Sequence, residues 1–196
     1  MKQILANVRL RADAYKLLSE CYYLPDDELM QKIDDAARAD PFFAELACRI
    51  PPVGKLGPLK VDYAALFVGP YKLLAPPYGS VYLEDSRMMG DSTIDVRNCY
   101  ENEGLNITIK DAPDHIAAEL EFMYYLVVKQ IEAVQEANLQ ILQSYEQRQC
   151  SFLRTHLARW VPRFAENVRR NAQTSFYRDL AGFTEIFIRK DVDACA

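Results

Sequence analysis

The run DAPDHIAAELEFMYYL, Asp111 to Leu126, and the apolar stretch it leads into constrain this chain more than any other feature. At about 100° per residue, Ile116, Leu120, Met123, Val127 and Ile131 share one face of a helix. Ala117, Tyr124 and Val128 widen that face, while Phe122 and Leu126 lie nearly opposite. A helix apolar around most of its circumference must be covered on several sides, so the rest of the chain has to be built around it. Its ionisable residues fall on two lines: Asp114, Glu121 and Tyr125 on one, and the i,i+4 pair His115 and Glu119 on the other. A buried unpaired charge is expensive, so these lines should open to solvent or find partners. Asp111 is expected to cap the helix, with Pro113 in its first turn and Asp114 at the capping-box position.

What surrounds that helix also reads as helix. Only seven residues are glycine, Ala, Leu and Glu are abundant, and alternating β-branched runs are scarce. The first helix is expected from about Lys2 to Tyr23, with Ile4, Leu5, Val8, Ala12, Tyr15, Leu18 and Tyr22 as its buried stripe. Pro25 ends it, and Asp26, Asp27 and Glu28 suit the positive end of a second helix. Short helices follow from about Pro41 and through LKVDYAALFVG, where Leu59, Tyr63, Leu66 and Phe67 face inward. Helix resumes near Ser92 and ends at Gly104; LNITIK is β-coloured but too short and isolated for a sheet. The C-terminal third reads as helices punctuated at Asn138 and Pro162, closed by a stripe of Phe176, Leu180, Phe183 and Phe187. With no internal repeat or linker, residues 1–196 are expected to form one all-α domain, a helical bundle. One segment differs in kind. GPYKLLAPPYGSVYLEDSRMMG carries Pro70, Pro76, Pro77 and Gly79, which break helix, and aromatics that argue for an ordered, packed loop.

Several function classes are disfavoured. A net charge of −5 argues against general nucleic-acid binding. No apolar run approaches the ~18 residues of a membrane span, and the amino terminus lacks the pattern of a secretory signal. The cysteines Cys21, Cys48, Cys99, Cys150 and Cys195 are odd in number and have no C-x-x-C spacing, so buried thiols in a reducing compartment are expected. Six arginines between Arg148 and Arg170 face one acid, Glu166, and are expected on solvated faces, with an acidic partner as the other reading. No catalytic signature accompanies His115, the chain has only one other histidine, His156, and no Glu-x-x-His or H-E-x-x-H pattern offers a metal site. Spacing alone leaves two readings open: a structural ion pair with a cap, or a binding site. A small-ligand or nucleotide-binding protein with an acid–base centre at Asp114, His115 and Glu119 is the alternative.

PDHIAAELEFM resembles the signature of the TorD/DmsD family of redox-enzyme maturation chaperones, relatives of the NarJ group. LFVGPYKLLAPPYGSVYLE is similar to that family's Pro-rich loop, and FLRTHLARWVPRF with SFYRDLAGFTEIF to its C-terminal helices. The resemblance implies a cytoplasmic, non-enzymatic chaperone without cofactor or metal. Its implied partner is the catalytic subunit of a molybdopterin oxidoreductase, bound through its twin-arginine signal peptide, its body or both. The implied job is to aid cofactor insertion and prevent premature export, without membrane insertion, as a monomer or a domain-swapped dimer. The peptide-binding residues carry over to Pro76, Pro77, Tyr78, Asp114 and His115, with Gly79, Ser80, Tyr82, Glu119 and Glu121 as neighbouring candidates. Tyr78 stands where the family often has Trp, and Asp111-Ala112-Pro113 stands where the motif commonly opens Glu-Pro. Carboxylates suit the arginines of such a peptide, and a loop of prolines and aromatics suits its apolar stretch.

Overall fold

A computed structural model describes residues 2–52, 54–69, 73–84, 88–106 and 112–195. The architecture is all-α: α1 (Lys2–Cys21), α2 (Asp27–Ala39), α3 (Ala44–Ala47), α4 (Gly57–Tyr63), α5 (Gly79–Leu83), α6 (Asp91–Asn102), α7 (Ile116–Gln135), α8 (Leu139–Phe152), α9 (Ala158–Asn171) and α10 (Ser175–Asp193). Among the described residues the only β-type pairing is an isolated antiparallel bridge, Tyr78 to His115.

The apolar helix is the centre of the bundle. On α7, Ile116, Leu120, Met123, Leu126 and Val127 are completely buried, although Leu126 points away from the others. Each such side chain contributes about 1.5–3 kcal/mol by leaving water. One flank is covered by α1, which runs antiparallel: Arg11 reaches Gln130, Lys16 reaches Glu121, and Ser19 Oγ donates to the Ala117 carbonyl. The other flank is covered by α8, also antiparallel, where Gln149 donates to the Leu126 carbonyl and the Phe122 and Phe152 rings lie 4.8 Å apart. The second helix starts as expected, with the Asp26 side chain accepting from Leu29 N–H and Asp27 and Glu28 in the first turn. On α10, Phe176 and Leu180 are buried, Phe183 and Phe187 only partly so; the stripe is rotated toward Tyr177, Ala181 and Thr184.

Four expectations need correction. Pro162 does not end a helix: α9 passes through it, preceded by a π-helical turn at Leu153–Leu157. The lost N–H is tolerated because Val161, Phe164, Ala165 and Val168, all fully buried, anchor one face of the same helix in the core while Pro162 itself is exposed. The long Pro-rich segment is not loop throughout, since Gly79–Leu83 is a short helix; before it, the expected helix LKVDYAALFVG ends in a π-helical turn at Ala64–Val68. Two of the cysteines are not thiols. Cys150 and Cys195 form a disulfide across a sequence separation of 45, with Cα atoms 5.5 Å apart; Cys48 is an exposed thiol, not a buried one. Last, α7 begins later than expected. His115 is its N-cap, its Nδ1 accepting from Ala117 N–H at 3.1 Å, and Asp114 and Pro113 precede the helix. The expected cap, Asp111, lies outside the described residues, as do residues 107–110 of LNITIK.

The arginine-rich stretch is largely tied down. Arg148 pairs with Glu103, Arg169 with Glu185 and Arg170 with Glu166, while Arg163 and Arg154 donate to the carbonyls of Tyr82 and Cys195.

Candidate functional site

The Pro-rich segment and the entrance to α7 are joined by backbone. Ile116 N–H donates to the Pro77 carbonyl at 2.8 Å, and Gly79 N–H donates to the Asp114 carbonyl at 2.9 Å. The Asp114 side chain adds a third tie: its Oδ2 accepts from Ser80 N–H at 2.7 Å, holding the first turn of α5. Tyr100 on α6 donates to the Pro113 carbonyl at 2.9 Å and fixes the approach to α7 from the far side. Two prolines cannot donate to a ladder, so a single short bridge is the pairing this sequence permits.

The candidate residues divide by depth. Pro76 and Tyr78 are partly exposed, and the Tyr78 ring stands edge-on to the His115 ring, with centroids 5.3 Å apart. On its other side His115 is stacked by Tyr23, a residue sequence reasoning did not single out, at 6.1 Å and 14°. Tyr23 follows the last turn of α1, and no periodicity links it to a residue more than ninety positions away. The Tyr23 side also lines a notch of about 180 Å³ formed with Glu20, Leu24, Asp26, Glu28, Leu29 and Lys32. Glu121 is half-exposed nearby on α7, held by Lys16 at 2.6 Å; Lys16 also lies 3.7 Å from Glu20. Lys32 in turn bridges Glu20 and Glu28 at 3.0 and 3.2 Å. His115 itself is buried, 5 % exposed, between the two tyrosine rings, so the accessible part of the site is tyrosine at its centre and carboxylate-rich along α1, α2 and α7.

Beneath this surface lies the second group. Pro77, Gly79, Ser80 and Tyr82 are buried, as are Asp114 and Glu119, each 1 % exposed. The anticipated His115–Glu119 side-chain pair gives way to other partners. Glu119 Oε2 accepts from the Trp160 indole N–H at 3.4 Å, and Trp160 itself is fully buried and stacked on Tyr82 at 5.7 Å. Burial lifts the Glu119 carboxyl well above the ordinary carboxylate range; the Trp160 N–H partly opposes the lift, and the Asp114 charge adds to it. Gly79 packs closely here, since a Cβ on it would lie 3.0 Å from Trp160 Nε1 and 3.2 Å from Glu119 Oε1. Burial also pushes the Tyr82 hydroxyl up to about 12. An acid–base centre at Asp114 and Glu119 would be closed to substrate by this packing. No group of three or more metal-ligating side chains occurs among the described residues.

Comparison with known proteins supplies the family. The nitrate reductase delta subunit family model matches residues 20–166, which takes in α1's end, the Pro-rich segment, α7 and most of α9. The TorD chaperone of Aliivibrio salmonicida is 31 % identical over 139 residues, covering 68 % of this chain and 62 % of that protein. The TorD chaperone of Vibrio parahaemolyticus is 26 % identical over 136 residues, with the same coverage of each chain. A perchlorate reductase assembly chaperone of Dechloromonas aromatica is 29 % identical over 134 residues, covering 65 % and 58 %. The chain thus matches less than two thirds of the length of each of these relatives. The crystal structure of an Archaeoglobus fulgidus protein described as a redox enzyme maturation protein shares the fold, with a TM-score of 0.60, 22 % identity and coverage of 91 % of this chain and 93 % of that one. With three quarters of its length inside the matching model, the chain belongs to the nitrate reductase delta subunit family, the TorD, DmsD and NarJ group that its α7 motif resembles.

Proposed function

We propose that this protein is a cytoplasmic, non-enzymatic chaperone of a molybdopterin oxidoreductase subunit, holding the client's twin-arginine signal peptide while the cofactor is inserted. The relatives named as TorD chaperones and as an assembly chaperone of perchlorate reductase support the class of client. The observation that carries the reading is the Tyr23–His115–Tyr78 aromatic row beside the carboxylates of Glu20, Glu28 and Glu121, of which Glu28 is the most exposed. Aromatic faces accept both an apolar helix and a guanidinium, and a carboxylate pairs with guanidinium in bidentate geometry. Apolar contact supplies most of the affinity and charge the register. In this reading Pro76, Tyr78, His115 and Glu121 meet the peptide. Pro77, Gly79, Ser80, Tyr82, Asp114 and Glu119 hold the surface in shape from below. Residues 1–196 act as one domain, as a monomer or a domain-swapped dimer.

Calorimetry with a synthetic peptide of two arginines followed by an apolar stretch tests this. The wild-type chain binds, Tyr78→Ala weakens binding about tenfold or more, and replacing both peptide arginines by lysine weakens it as well. Absence of binding by the wild-type chain, or equal affinity for the Tyr78→Ala variant, overturns the assignment.

A further inference from the structure

The Cys150–Cys195 bond lies near Arg11 in the middle of α1, away from the Tyr23 end that carries the aromatic row. Both cysteines are half-buried and line an open cleft of about 770 Å³ with Gln143, Glu146, Gln147, Ser151, Arg154 and Thr155. A sulfur at the wall of such a cleft is accessible to an attacking thiolate. Arg154 projects into the same cleft and donates to the Cys195 carbonyl at 2.6 Å. A guanidinium beside a cystine stabilises the departing thiolate, which speeds exchange, with Glu146 as the opposing charge.

What the bond holds is the end of α10. Upstream, Asp191 anchors the helix firmly: Arg11 Nε lies 2.7 and 2.9 Å from its two carboxylate oxygens, and the Tyr15 hydroxyl donates to it. Arg11 continues to Gln149, next to Cys150, at 2.7 Å. Beyond Asp191, Val192 and Cys195 pack partly buried against the core, and among the described residues the end is otherwise held by the backbone bonds of Ala194 and Cys195, the Arg154 contact and the disulfide. Breaking the S–S bond therefore frees the last turn while the anchored body of α10 stays.

We propose that Cys150–Cys195 is a reversible thiol–disulfide switch controlling the order of the C-terminal turn of α10. A thiolate of a small thiol or dithiol attacks one sulfur, the S–S bond breaks, and the other cysteine leaves as thiolate and takes a proton from water. A second thiol resolves the mixed disulfide, so the cystine gains two electrons and the reductant leaves as its own disulfide. The expectation that the cystine turns over in a cell rests on the proposed cytoplasmic role, because cytoplasmic disulfides are chiefly transient or redox-sensing.

The full-length chain, equilibrated in glutathione buffers of stepped ratio, quenched by alkylation and read by mass spectrometry, tests the switch. Cys150 and Cys195 become alkylated together across the series, and amide exchange in residues 190–195 rises at least tenfold on reduction. The Cys195→Ser variant shows the fast exchange in every buffer, while α1 exchange is unchanged. Three results each overturn the switch: alkylation of both cysteines in the most oxidising buffer, protection of both in the most reducing one, or no change of exchange in residues 190–195. The titration reads only sulfur chemistry, so a failure of peptide binding leaves it intact.

Discussion

Replacing Glu119 by glutamine isolates the consequence of burying a carboxyl against an indole and another acid. Glu119 is fully enclosed, and no cation appears among the groups acting on it, only the Trp160 N–H and the Asp114 charge. Its folded-state pKa is raised, so between about pH 4.3, the ordinary glutamate value, and that raised value the native state holds a proton the unfolded state has released. Stability then falls as pH rises, by at most about 1.4 kcal/mol per pH unit for one proton. The stabilising contribution is complete below the unfolded pKa and is lost on the way up to the folded one. Glutamine keeps the shape and an oxygen for Trp160 but has no proton to lose. The two proteins should therefore have similar stability near pH 4, and the Glu119→Gln variant should gain on wild type from pH 5 upward, by about 1 kcal/mol per unit until the raised folded-state value is passed. Urea unfolding of both proteins at pH 5, 6, 7 and 8 measures the difference. A difference that stays constant across the series would mean that Glu119 ionises alike in both states, and the account of a neutral buried anchor would be wrong.

Substitutions at two further positions probe the scaffold beneath the site and beside it. Gly79→Ala forces a Cβ to within 3.0 Å of Trp160 Nε1 and should lower unfolding free energy by about 1–3 kcal/mol, read by urea denaturation. Asp62, 2 % exposed, accepts from Gln173 N–H at 3.1 Å and from Thr174 N–H and Oγ–H at 2.8 and 2.6 Å, locking α4 to the turn between α9 and α10. Asp62→Ala should cost on the order of 3 kcal/mol and Asp62→Asn about half as much, and equal melting temperatures for the three proteins would refute that role.

The identity of the central element, the all-α class and most helix positions could be read from the chain, because apolar spacing of three and four residues survives whatever packs on it. The same local rules placed Asp26 at the positive end of α2, where it proves to be the cap, and a break at Asn138, whose side chain accepts from Ile141 N–H at the start of α8. They failed where distant residues decide. Pro162 stays inside α9 because burial of Val161 and Phe164 outweighs one lost hydrogen bond. His115 takes over the capping of α7 because the preceding residues are drawn into pairing with the Pro-rich segment.

Sequence by itself, through two short motifs that resemble the family's, therefore singled out the residues proposed for the site: an acid, an imidazole, two prolines and a tyrosine. Only tertiary structure decided their division of labour. Residues 34 positions apart are brought within 2.7 Å at Ser80 and Asp114, which turns Asp114 from a helix cap into an interior strut. Tyr23, just past the end of α1, completes the aromatic row. The physical reason is that helical periodicity reports which side of an element is buried, whereas the partner that satisfies a buried polar group is chosen by packing between elements far apart along the chain.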